Sequence, residues 1–154
     1  MTIAEALKPL DSAIWEMGEA FEGLRDADVW TRPHPRLLSV GELAAHIAYG
    51  ELRSILGEFD SPFADPAASY YLSSVETPWS LPMSASEVLA EVRRVHDACK
   101  AYVLEAQPEL DSASPHREGW TWSYVLEYMA FHIAYHAGQM YSARHLMGHE
   151  TANN

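Results

Sequence analysis

The chain has 154 residues, one cysteine, and 10 basic against 22 acidic side chains, a formal net charge of −12. That length is enough for one domain with its own core. A single cysteine excludes an internal disulfide, and the acidic balance argues against a nucleic-acid backbone or an anionic membrane as partner, since both are bound by clustered Lys and Arg. Hydrophobic residues make up 48% of the chain, yet no apolar run approaches the roughly 18 residues of a membrane span, and the N-terminus lacks the basic-then-apolar order of a signal peptide. These observations lead us to expect a single globular domain over 1–150 in the cytoplasm, with no membrane or nucleic-acid partner, and a frayed tail at 151–154.

The first element is announced by Ile3, Leu7, Leu10, Ile14, Met17, Phe21 and Leu24, whose alternating spacings of four and three draw one apolar stripe along a helix. Thr2 with Glu5 fits a capping box, in which each side chain satisfies a free backbone N–H of the first turn. The predicted helix runs over 3–25, with Pro9 as an interior kink or a later start. Two prolines then break the period in 26–38. Ser39 with Glu42 forms a second capping box and opens a helix over 39–57, closed by Gly57. Residues 58–83 carry four prolines and the aromatics Phe59, Phe63, Tyr70, Tyr71 and Trp79. A connection this long in a compact domain is a crossover or a functional loop, and it has room for a short strand or a turn of helix. Ser84 with Glu87 opens a third helix over 85–107, with Val88, Val92, Val95, Cys99, Tyr102 and Ala106 as its stripe, ended by Pro108. A polar loop leads to a fourth helix over 121–147, stopped by Gly148, after which the tail is expected to fray.

Four amphipathic helices without a convincing strand set predict an all-α four-helix bundle. The long connection spans a helix of about 27 Å with ease, so helices 2 and 3 can run parallel while the shorter links join antiparallel neighbours. The expected topology is up-down-down-up, with a long helix 2 to helix 3 crossover.

Of eight histidines, His132 and His136 stand at i and i+4 on the fourth helix, within the apolar stripe of Val125, Met129, Met140, Ala143 and Met147. Imidazoles directed into a core need partners. One metal ion would serve both rings; hydrogen bonding within the core is the alternative. A third ligand has to come from elsewhere. His46 lies inside helix 2 beside its apolar face, in line with Gly50, which permits close approach of a neighbour. His96 on helix 3 is the reserve ligand, or else an amphipathic surface residue. His34 and His116 fall in proline-bearing loops, and His145 and His149 near the end of helix 4. Three neutral imidazoles suit one divalent ion, zinc or nickel first and iron or copper next, with a coordination position left open as in catalytic sites. The sequence has no E-x-x-H and no H-E-x-x-H, which excludes ferritin-like di-iron bundles and zincins.

The order W-x-R-P-x-P (Trp30 to Pro35), SVGELAAHIAYGE around His46, and HIAYHAGQ around His132 and His136 resembles the DinB-like family, whose relatives include the bacillithiol and mycothiol S-transferases. The resemblance covers essentially the whole chain. It implies an up-down-down-up bundle, often a homodimer, with one divalent metal on His46, His132 and His136. Family members often carry an acidic residue directly after the first late histidine; here that position is Ile133.

Glu42, one turn before His46, is a candidate for orienting an imidazole or acting as a base, with its cap as the competing role. Gln139, three residues after His136, is a candidate for bonding a substrate or a ligand ring. Tyr49 and Tyr128 are further candidates beside the site. Trp30, Trp79, Trp120 and Trp122 either wall a pocket or plug the bundle ends, and Cys99 is expected to be buried and inert. The expected function is metal-dependent transfer of a low-molecular-weight thiol to a small electrophile. A metal-dependent hydrolase at the same three histidines, or a non-catalytic metal-binding or dimerisation bundle, are the alternatives.

Overall fold

The computed structural model describes residues 1–69 and 77–150. Four helices carry the fold: α1 (Ile3–Glu19), α2 (Val40–Ile55), α3 (Ala85–Ala106) and α4 (Trp122–Leu146). Among the described residues there is no strand, only an isolated bridge between Ala113 and Thr121 that closes the loop before α4. Between α2 and α3 the described residues include the 3-10 turns Pro62–Ala64 and Pro66–Ser69. Tyr70 and Tyr71 lie outside the described residues.

Local chemistry sets the helix starts. Thr2 with Glu5, Ser39 with Glu42 and Ser84 with Glu87 all form complete capping boxes, and the Thr121 hydroxyl accepts from the Tyr124 N–H at the start of α4. The end of α1 departs from expectation. The helix stops at Glu19 rather than near residue 25, and the chain continues in turns bonded from Phe21 N–H to Gly18 carbonyl and from Leu24 N–H to Phe21 carbonyl. Those turns nearly preserve the helical period, so Phe21 and Leu24 stay buried and the apolar stripe outlasts the helix. Pro9 lies inside α1. Both Pro9 and Glu5 are exposed, which leaves the Glu5 carbonyl, deprived of its usual partner, open to water. Gly57 adopts the left-handed conformation that terminates α2.

α1 packs along α4 and α2 along α3, with further contacts of α2 on α4 and of α1 on α3. Leu7, Leu10, Met17, Ile47, Leu52, Leu126, Met129 and Met140 fill the shared core. The connection is tied onto α2 by the fully buried Phe63 and Ala68. His96 is neither a surface residue nor part of the other histidines' cluster. It is buried, with Nδ1 2.8 Å from Glu51 Oε1 and Nε2 3.1 Å from Asp11 Oδ1, and Lys100 pairs with the same aspartate at 2.7 Å. This network links α1, α2 and α3. Residues just after α4 are held: His149 bonds Asp28 at 2.7 Å, and the buried Arg144 donates to the carbonyls of Ala20, His149 and Glu150; the expected frayed tail, 151–154, lies outside the described residues.

Candidate metal centre

His46 comes from the second turn of α2, and His132 and His136 from the middle of α4. Each ring can place one nitrogen in a cluster whose members all lie within 4.8 Å of one another. The two helices approach closely enough for this because α2 has no side chain at Gly50, where a Cβ would stand 3.0 Å from His132 Cε1.

The nitrogens facing away from the cluster fix two of the rings. His46 Nδ1 lies 3.0 Å from the Ala68 carbonyl, which can only accept, so Nδ1 carries the proton and Nε2 presents a lone pair. His136 Nδ1 donates in the same way to Gln139 Oε1 at 2.7 Å. His132 Nε2 is 3.1 Å from His46 Nε2, and among the described residues its buried Nδ1 has no partner. In a neutral His132 a proton on Nδ1 sets two lone pairs against each other at that distance. A proton on Nε2 instead leaves Nδ1 as a buried acceptor without a donor. Burying an unsatisfied nitrogen costs about 1–3 kcal/mol. One cation between the Nε2 atoms removes the lone-pair conflict. Two nitrogens on one tetrahedral zinc stand about 3.3 Å apart, close to the spacing found here. The donor set therefore fits a divalent metal.

Burial pushes the His132 pKa down to about 3, helped by the neighbouring His136, His46 and Arg117. Burial lowers His136 to about 4 against the opposing bond to Gln139, and lowers His46 against its bonds to the Ala68 and Ser69 backbone. All three rings are therefore neutral at pH 7, the form that ligates. Tyr128 stacks on His132 with ring centroids 5.8 Å apart.

Two cavities reach the cluster. One of about 570 Å³ exposes His46 and His136 and is walled by Leu37, Leu38, Leu43 and Tyr135, with Arg36 at its edge. The other, of about 430 Å³, exposes His46 and His132 and is walled by Tyr49, Arg53, Arg117 and Tyr128.

Glu42 does not join the cluster. Its fully buried carboxylate accepts from Ser39 N–H at 2.7 Å, from Trp79 N–H at 3.0 Å, and from Arg32 through Nε at 2.8 Å and Nη2 at 2.6 Å. It caps α2 and locks the returning connection to it. Trp30, edge-on to Trp79, donates to the Met83 carbonyl in the same region, while Trp122 is buried at the start of α4. Cys99 is fully buried, and burial, with the charge of Glu51, raises its pKa far above the ordinary thiol range. Sequence reasoning missed the Ala68 carbonyl, the Arg32 partner of Glu42 and the place of His116 and Arg117 at the second cavity. The W-T-R run next to a capping box was the only local hint of any of them.

Helices wrapped around three converging neutral imidazoles define an all-helical protein with a candidate metal centre. Residues 3–140 match the DinB superfamily, and the chain belongs to that family. No curated protein and no solved structure matches it.

Proposed function

We propose that this protein is a divalent-metal-dependent S-transferase that joins a low-molecular-weight thiol to a small electrophile, with His46, His132 and His136 holding one zinc or nickel ion. The observation that carries this reading is a cluster of three neutral imidazoles, with no carboxylate in it among the described residues. Hydrolysis calls for a base to take a proton from water and a donor for the leaving group, and Glu42 is fully engaged by Arg32, Ser39 and Trp79. A thiol, with a pKa of about 8.5, needs only a modest push to ionise. The bound ion would supply that push as positive charge beside the sulfur.

The chain's residues do the rest. The Ala68 carbonyl and Gln139 hold the His46 and His136 rings in the ligating tautomer. Leu37, Leu38 and Leu43 offer an apolar wall to the electrophile and keep water from it. The thiol loses its proton to solvent, its sulfur forms the new bond to carbon, and the leaving group departs with the bonding electron pair.

We read the bundle as up-down-down-up with residues 58–83 as the crossover. Tyr141 late in α4 meets Glu16 late in α1, and Ser54 late in α2 meets Arg117 just before α4, which supports that order. A homodimer accords with the exposed Tyr124, Phe131 and Tyr135 on α4. Among the described residues no helix is long and apolar enough to cross a membrane.

The test supplies the metal-loaded protein with a thiol and an alkyl halide, with His136→Ala as control. Metal-dependent loss of thiol, absent in the variant, is expected. Cleavage of an ester or amide without any thiol would replace this reading with the hydrolase.

A further inference from the structure

The cavity on the His132 side carries two arginines, where its neighbour sets a single one, Arg36, among Leu37, Leu38 and Leu43. Besides His46 and His132 it is lined by Arg53, Arg117 and His116, and no acidic side chain is among its described lining residues. That is a local concentration of positive charge in a chain of net charge −12. Both arginines are held in place through one nitrogen. Arg117 Nε donates to the buried Ser54 hydroxyl at 3.0 Å while its guanidinium lies over the Trp120 ring, 5.1 Å from the centroid. Arg53 Nη1 donates to the Gly57 carbonyl at 2.8 Å. Neither pairs with a carboxylate among the described residues. A guanidinium fixed at one nitrogen, with donors to spare, is a prepared receptor for a planar anion, because the fork matches the spacing of two carboxylate oxygens.

We propose that this cavity is a carboxylate-recognition subsite, in which Arg53 and Arg117 seat the anionic end of the thiol substrate while its sulfur faces the three histidines; the proposal builds on the thiol-transfer reading of the same site. His46 lines both cavities. A carboxylate-bearing thiol entering from the arginine side thus meets an apolar electrophile entering from the leucine side at the edge of a shared ring. The arginines select the thiol, and the leucines select its acceptor.

The experiment uses full-length protein loaded with cobalt(II), whose thiolate absorption band reports sulfur at the metal. Three thiols of similar size are titrated: 3-mercaptopropionate, the neutral 2-mercaptoethanol and the cationic cysteamine. The carboxylate thiol is expected to bind about tenfold more tightly than the neutral one, as one charge-assisted pair would give, with cysteamine weakest. The double substitution Arg53→Ala, Arg117→Ala is expected to abolish that preference without changing cobalt stoichiometry or the affinity for 2-mercaptoethanol. Arg117→Lys, which keeps the charge and loses the fork, is expected to retain only part of it. Equal affinity for neutral and carboxylate thiols, or a preference that survives the double substitution, would overturn the proposal. A metal-free arm separates this from failure of the metal site. There the arginine Nε–H signals of labelled protein are followed with propionate and with inorganic phosphate. Propionate shifts at Arg53 and Arg117 in a protein that takes up no cobalt would leave the subsite standing and remove the transferase reading. No propionate shift, or a stronger response to phosphate, would overturn the carboxylate assignment.

Discussion

Gln139 offers a way to weaken the candidate metal centre without touching a ligand. Its Oε1 accepts the proton of His136 Nδ1 at 2.7 Å and so fixes which nitrogen faces the cluster. Loss of such a partner typically costs about 10–100-fold in metal affinity. Gln139→Ala is expected to show that loss in competition with a chromophoric chelator, whereas His136→Ala abolishes stoichiometric binding. Glu42 behaves in the opposite way. Glu42→Gln replaces the carboxylate that pairs with Arg32, whose side chain is only 8% exposed, by a neutral amide, and stability in urea is expected to fall by about 1–3 kcal/mol while metal stoichiometry stays unchanged. The capping role of Glu42 was legible because its partner is three residues away. Its bonds to Arg32 and Trp79 were not, since both depend on loops folding back across the start of α2.

At the scale of elements, the α2–α4 contact is the sensitive one. A methyl group at position 50 would meet the His132 ring at 3.0 Å, and that ring, with no partner on Nδ1, can tilt to relieve it. Gly50→Ala is therefore expected to weaken metal binding while leaving the metal-free protein no less stable, since alanine favours the helix by about 0.8–1 kcal/mol over glycine. Chelator competition beside thermal melting separates the two effects. Three helix starts were legible from their capping boxes, and the histidines of α4 from the wheel, because both signals repeat within a few residues. The end of α1 was misread because the turns through Phe21 and Leu24 keep the apolar period after the helical hydrogen bonds stop. His96 was misread because its carboxylates belong to α1 and α2, and a wheel drawn for α3 contains neither. His116 and Arg117 sit in an aperiodic loop whose direction no local pattern encodes.

For the whole molecule, the depressed histidines make the metal-free protein sensitive to acid. His132 and His136 titrate at about 3 and about 4 when folded, against an ordinary value of 6.5. The unfolded chain thus takes up protons first, and the stability present above pH 6.5 drains as pH falls. His96 works in the other direction. Burial opposes its charge, but Glu51 and Asp11 outweigh burial and raise its pKa, so its contribution is full below pH 6.5 and is lost as pH rises through that raised value. The urea midpoint of metal-free protein is expected to decline between pH 6.5 and 5, before the carboxylates protonate, and His132→Phe is expected to flatten that decline. A bound ion at a thousandfold excess over its Kd would add about 4 kcal/mol at neutral pH.

The bond from His46 to the Ala68 carbonyl also bears on how an ion is acquired. A carbonyl cannot give a proton, so the tautomer of His46 is chosen by the fold before any ion arrives, and none of the three rings carries a charge to shed near neutrality. Cysteine sites must expel protons as they fill, which ties their loading to the acidity of the surroundings. Here the rings give up little charge as an ion arrives near pH 7, so protons released on loading come from water carried by the ion, and uptake depends on acidity less steeply than at a thiolate site.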